Sequence, residues 1–230
     1  MNEAIDNDEQ KRLRKIKSFV LRQGRLTPGQ EKAFATVWPQ FGISYQAQPL
    51  DFSQVFANSN PVVLEIGFGN GDSLAQMAAM NPDINYLGIE VHRPGVGHLL
   101  IEIARLKLTN LRIISHDAIE VIRDCIADHS LDGVQLFFPD PWHKKRHHKR
   151  RIVNPDFLDS LQRILKPGGF FHAATDWANY AEHIDDALKI HPGFSRIDNA
   201  AFIAARPKTK FEQRGERLGH EVADIVHQVL

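Results

Sequence analysis

Three features of the 230-residue sequence predict an α/β protein with a mostly parallel sheet and helices on both of its faces. From Pro61 onward, short apolar runs alternate with helix-period patterns five times. A glycine-rich turn follows the first of those runs, and an acidic residue stands at the end of each. Repeated strand–helix alternation gives parallel strands with crossover helices. Such sheets bind ligands outside the carboxyl ends of their strands, where the strand order reverses.

The elements follow in order. Residues 1–60 read as a basic N-terminal arm (1–25) and an irregular lead-in rich in Pro, Gly, Gln and Ser, whose Phe34, Trp38, Phe41 and Tyr45 pack on the main domain, 61–230. Val62–Ile66 is the first strand, and a helix runs from Asp72 to Met80. Tyr86–Val91 is the second strand. Pro94 opens a helix whose Val96, Leu99, Leu100, Ile103 and Leu106 fall on one face. Leu111–Ser115 is a strand, Ile119–Ala127 a helix and Gly133–Phe138 a strand. Asn154-Pro155 caps a helix carrying Phe157, Leu158, Leu161, Ile164 and Leu165, stopped by Pro167-Gly168. Gly169–Ala174 is the fifth strand, and Trp177, Tyr180, Ala181, Ile184 and Leu188 line the next helix. Beyond Pro192 the pattern turns β-like, near Phe194–Asn199 and Val222–Val229.

Composition narrows the function. The longest apolar run, Ala200–Ala205, has six residues and cannot span a bilayer. The acidic, polar opening MNEAIDNDEQ is unlike a secretory signal, so a cytoplasmic location is expected, with no membrane partner. The single cysteine, Cys125, forms no internal disulfide and lies on an apolar helix pattern that places it in the core. Formal net charge is zero, yet Lys11–Arg25 holds seven Lys/Arg and His143–Arg151 six more, with no acid in either stretch. Setting those thirteen aside leaves 15 basic against 28 acidic residues. An acidic body with two concentrated basic segments suits a localised polyanion contact. His143, His147 and His148 have no Cys or acid at ligand spacing, so no metal site is expected.

The acids at the strand ends are Glu65, Glu90, Asp117, Asp140 and Asp176. Asp117 and Asp176 precede helices and also suit N-capping. Five carboxylates at one rim repel unless a ligand supplies donors or positive charge. In Gly67-Phe68-Gly69-Asn70-Gly71-Asp72, Asp72 stands where a dinucleotide fingerprint wants a small residue. That disfavours a pyrophosphate cofactor, and with it a nicotinamide oxidoreductase. Glu90, 19 residues after Gly71, suits the two hydroxyls of a ribose. A ribose acid without a pyrophosphate loop points to S-adenosyl-L-methionine, whose sulfonium an acidic rim favours. Asp117 is placed to accept from the adenine amino group. Glu65 either organises the loop or contacts the cofactor.

In Phe137-Phe138-Pro139-Asp140-Pro141-Trp142, two prolines stiffen the backbone around one carboxylate, with an aromatic beside it and the basic run directly after. That order suits chemistry on a nucleobase held by its backbone. Six basic residues in nine have no use in a small-molecule methyltransferase. The intact glycine, Glu90 and Asp140 set argues against a bare RNA-binding module.

Leu64–Gly71, Phe138-Pro139-Asp140-Pro141-Trp142-His143-Lys144-Lys145-Arg146, Lys149-Arg150-Arg151, Ala174-Thr175-Asp176-Trp177 and Thr209–Gly215 together resemble the bacterial tRNA (guanine-N7-)-methyltransferase family. The resemblance runs from about residue 60 to the end, with small departures at Asn70, His148 and Glu221. It implies a Rossmann-like class I methyltransferase fold, a seven-stranded sheet with an antiparallel C-terminal strand near Val222–Val229. It implies methyl transfer to N7 of guanine 46 in the tRNA variable loop by a monomer or weak homodimer. Glu65, Gly67, Gly69, Gly71, Glu90, Asp117 and Asp140 then match cofactor positions, with Asp140 also catalytic. Lys144, Asp176, Thr209, Lys210, Phe211 and Glu212 match substrate positions. Lys145, Arg146, Lys149, Arg150 and Arg151 are the RNA-binding expectation.

Overall fold

A computed structural model describes residues 17–19, 24–208, 212 and 221–230. The elements in chain order are α1 (Pro28–Thr36), α2 (Trp38–Phe41), β1 (Gly42–Ile43), α3 (Phe52–Phe56), β2 (Val62–Ile66), α4 (Asp72–Met80), β3 (Asn85–Ile89), α5 (Arg93–Leu106), β4 (Leu111–Ile114), α6 (Ala118–Cys125) and β5 (Leu131–Phe137). A 3-10 turn follows at Lys145–Arg150, then α7 (Pro155–Ile164), β6 (Leu165–Thr175), α8 (Ala178–Ile190), β7 (Phe194–Arg196), α9 (Ala200–Ala205) and β8 (Ala223–Val229).

The strands form one sheet in the order β1-β4-β3-β2-β5-β6-β8-β7. Neighbours from β1 to β6 run parallel, and β8 lies antiparallel to both β6 and β7. From β2 the chain moves outward through β3 and β4, then returns to the other side of β2 as β5 and moves outward through β6. The order therefore reverses between β2 and β5, and the turns that follow these two strands flank the crevice.

Each face of the sheet carries its own apolar core. Leu64, Leu87, Val134 and Phe171 meet α6, α7 and α8 on one side, where Val121, Leu161 and Ile184 are buried. Val63, Tyr86 and Ile113 meet α4 and α5 on the other, where Leu74, Leu99 and Ile103 are buried. Cys125 is buried in the first core, as its helix pattern predicts. No described helix is long and apolar enough to cross a membrane.

Three expectations need correction. The lead-in is helical in part: Thr27 and Gln30 close a capping box at the start of α1. The amide Nε2 of Gln30 also donates to the Pro94 carbonyl at 2.8 Å. A Cβ at Gly97 would meet Gln30 at 2.8 Å, so this glycine lets α1 close on α5. Next, β1 pairs with β4 and supplies an eighth strand where seven were expected. Residues 42–43 and the 61–230 region thus share one sheet. Finally, Pro167-Gly168 does not stop α7. The helix ends at Ile164 because Leu165 is already extended (φ −78°, ψ 141°). Pro167-Gly168 lies in a bulge of β6, where Gly168 takes a left-handed φ of 77°.

Candidate active site

The turns after β2 and β5 open a cleft of about 790 Å³ at the switch point. Gly67, Glu90, Asp117, Asp140, Lys144 and His147 all line it, so one cavity joins the glycine turn, the acidic rim and the start of the basic run. That volume lies within the range of sites for drug-sized ligands and cofactors.

Gly67, Gly69 and Gly71 have φ of 71°, 59° and 77°, a region that residues with a Cβ rarely enter. They serve different ends. A Cβ on Gly71 would meet Leu99 at 2.8 Å, so this glycine packs the turn on α5. A Cβ on Gly67 or Gly69 would meet nothing within 4 Å, so their backbone faces open space.

Glu90 organises this turn. One carboxylate oxygen accepts from the Gly69 amide at 2.9 Å, and the other from the Val91 and His92 amides at 2.7 and 2.9 Å. The alternative raised for Glu65, that it holds the loop, falls instead to Glu90. Glu65 lies on β2 beneath the rim, 3% exposed, and its Oε2 has no hydrogen-bond partner among the described residues. Burial and then the Glu90 charge push its carboxyl up to about 8. Its folded value exceeds the ordinary 4.5, so the folded chain binds the extra proton between those two values. Stability from this group is present below 4.5 and is lost as pH climbs toward 8, by up to about 1.4 kcal/mol per pH unit. Glu65→Gln is therefore expected to raise the melting temperature more at pH 8 than at pH 5. Equal shifts at both would show that Glu65 is ionised in the fold.

Asp117 caps α6 through the Ile119 amide at 3.1 Å and also faces the cleft. The Lys17 ammonium stands 3.6 Å from its carboxylate. Capping and ligand contact are compatible, because a carboxylate has about four acceptor positions.

The turn after β5 is strained at both ends. Phe138 and Trp142 have φ of 51° and 49°. Each costs on the order of 1–3 kcal/mol, held by surrounding contacts. Phe138 donates its amide to the Ala174 carbonyl at 2.7 Å. The Arg150 guanidinium lies 3.9 Å from the centre of the Trp142 ring. Between these anchors Asp140 is exposed in the cleft wall, and its carboxylate takes no hydrogen bond or ion pair among the described residues.

The basic run divides by direction. Lys144, Lys145, Arg146 and Lys149 are exposed. Arg151 is corrected out of the RNA-binding set. It is 3% exposed and donates to the Pro141 carbonyl and the Asn179 side chain at 3.0 and 2.8 Å, with its guanidinium over Tyr180. A buried guanidinium cannot meet a phosphate, and this one braces the turn. Arg150 donates to the Lys17 and Phe19 carbonyls at 3.0 and 3.4 Å, so part of its fork holds the N-terminal segment. The Trp142 indole donates to the Ser18 carbonyl at 3.1 Å, and Ser18 and Phe19 wall the cleft. Sequence reasoning missed this strap, because nothing in a basic arm says where its carbonyls land.

Asp176 follows β6 and is half-buried outside the cleft lining. Its neighbour Trp177 meets the His143 ring at 4.2 Å between centroids. Thr209, Lys210 and Phe211 lie outside the described residues. Glu212 is 5% exposed and receives a two-bond fork from Arg206 at 2.7 and 2.9 Å. Among the described residues no three His, Cys, Asp or Glu group as metal ligands.

Comparisons with known proteins follow the same lines. A family described as "Putative methyltransferase" matches residues 59–225. The tRNA (guanine-N(7)-)-methyltransferase of Pasteurella multocida is 55% identical over 218 residues, covering 93% of this chain and 86% of that protein. The protein of the same name from Pseudoalteromonas translucida is 54% identical over 224 residues, covering 96% and 93%. The crystal structure of the 16S rRNA methyltransferase KamB superposes with a TM-score of 0.57 at 14% identity, covering 79% of this chain and 94% of that one, a likeness of fold.

Proposed function

The chain belongs to the tRNA (guanine-N(7)-)-methyltransferase family, and from that premise we propose that it methylates N7 of guanine 46 in the variable loop of tRNA, with S-adenosyl-L-methionine as donor. The observation that carries the reading is the Asp140 carboxylate, unpartnered among the described residues and set between the glycine turn and the exposed face of a basic turn in one cleft.

The cleft fits the cofactor. Gly67 and Gly69 offer a backbone cradle that a Cβ would enter. Glu90 and Asp117 offer carboxylates toward ribose hydroxyls and the adenine amino group. Glu90 keeps free acceptor positions after its three amide bonds. When bound, the cofactor supplies a methyl group made electrophilic by its sulfonium.

Guanine N7 carries an in-plane lone pair and no proton at neutral pH, so the chain needs no general base. Its task is alignment of N7 with the methyl carbon at roughly 3–3.5 Å. Asp140 meets that task by accepting from N1–H and N2–H of the guanine edge, whereas adenine presents an acceptor at N1. The same negative charge opposes the positive charge that appears on the base. The strained, proline-flanked turn holds the carboxylate in place before the base arrives.

Lys144, Lys145, Arg146 and Lys149 bind phosphates. Four contacts give a fall of log affinity with log salt of slope about −3.5, on a scale calibrated on DNA. Filter binding of tRNA across a salt series measures it, and a flat response removes the phosphate role. The reaction itself is tested with labelled S-adenosyl-L-methionine and unmodified tRNA, followed by aniline cleavage at 7-methylguanosine. Label at another position or in another base reassigns the substrate.

A further inference from the structure

We propose that Arg206 is a positioning residue for methyl transfer, bracing the turn that carries Asp140 against Glu212 and β8. Its guanidinium is almost fully enclosed, with 3% of the side chain exposed. Two nitrogens donate to Glu212 at 2.7 and 2.9 Å. Nε and Nη2 donate to Asp224 of β8 at 2.9 and 3.0 Å. Asp224 is fixed from behind by His172 of β6, whose Nε2 lies 2.6 Å away. Burial would raise the Asp224 carboxyl, but the His172 and Arg206 hydrogen bonds outweigh it and hold the group below its ordinary value.

The same guanidinium lies over two rings of the β5 end, 5.4 Å from the centre of Phe137 and 5.8 Å from that of Phe138. Phe138 is the left-handed residue two places before Asp140. One planar group thus touches β8, the left-handed residue of the Asp140 turn and the acid of the Thr209–Glu212 segment. Pro207, next in sequence, accepts from Ser73 near the start of α4 at 3.5 Å, which ties the backbone beside Arg206 to the glycine-turn side as well. Arg206, Glu212, Asp224 and His172 do not line the cleft, so they act on the base through Phe138, which does. A lysine at 206 keeps the charge but loses the planar fork that reaches two carboxylates at once.

The proposal rests on the methyl-transfer reading, and its test separates the two. Wild-type and Arg206→Lys proteins are compared in single-turnover assays with saturating tRNA and cofactor, well below both melting temperatures. Cofactor affinity is measured separately by calorimetry. Arg206→Lys is expected to slow methyl transfer ten- to a hundredfold, the scale of a small misplacement of reacting groups. The dissociation constant for S-adenosyl-L-methionine should stay within about twofold, because the guanidinium is outside the cleft. A purely structural role gives a rate that recovers to wild type once the assay is cooled, and that result overturns the proposal, as does an unchanged rate. Asp224→Asn removes one carboxylate charge from the fork and leaves Glu212. It is expected to slow transfer threefold or more with the same unchanged cofactor affinity, and it decides the matter if Arg206→Lys does not fold. If wild-type protein forms no 7-methylguanosine, the methyl-transfer reading fails. If wild type is active and both variants match it, only the role of Arg206 fails.

Discussion

Asp140→Ala is expected to lower the single-turnover rate of methyl transfer by about 10²–10³-fold, the scale of losing one preorganised charge at a reacting centre. The affinity for tRNA should remain within about twofold, because the exposed Lys144, Lys145, Arg146 and Lys149, the proposed phosphate contacts, stay in place. The fold should also tolerate the change, since Asp140 is exposed and bonds to no other described side chain. Asp140→Asn sharpens the test. The amide keeps the size but loses the charge and turns a donor toward a guanine donor, so its rate should fall nearly as far. A near-wild-type rate in Asp140→Ala would remove this carboxylate from the mechanism and leave Asp176 as the acid at the base.

Glu90→Ala is expected to weaken S-adenosyl-L-methionine binding by on the order of a hundredfold, with a smaller change in the rate at saturation. The size follows from the geometry. Three backbone amides, those of Gly69, Val91 and His92, lose their acceptor together. Each unsatisfied buried donor costs about 1–3 kcal/mol, and water entering the open cleft recovers part of it. The left-handed conformation of Gly69 then loses its tether, and the cradle widens before the cofactor arrives. Calorimetric titration with the cofactor checks this. Affinity within threefold of wild type would mean that the glycine turn holds itself without Glu90.

Much of this was legible in the sequence because it rests on short-range rules. Asp72–Met80 is a helix with the predicted ends. Val62–Ile66 is a strand with all five residues buried, as a central parallel strand requires. Asn154 caps α7 through the Phe157 amide, as its place before Pro155 suggests. The acids at the strand ends were findable because parallel strands bring their carboxyl ends to one rim. Three of the five line the cleft, while Glu65 is buried beneath the rim and Asp176 stands outside it. In each case a short apolar run, a period of 3.6 residues or a cap within a few residues fixed the outcome.

The basic run shows where that reach ends. Lys144 to Arg151 has no regular period, so identity alone cannot say which side chains turn outward. Packing on Tyr180 and Asn179 decided that Arg151 turns in, and the strap carbonyls decided that Arg150 is partly engaged. The same limit hid Arg206, whose acidic partners stand 6 and 18 residues away and meet it only once β8 has paired with β6. By itself, then, the chain determined its alternating elements and the acids and glycines at the ends of its strands, because local periodicity encodes them. Only the packed molecule decided which charges face the cleft and which brace it, because the direction of a side chain in an irregular turn is set by distant neighbours.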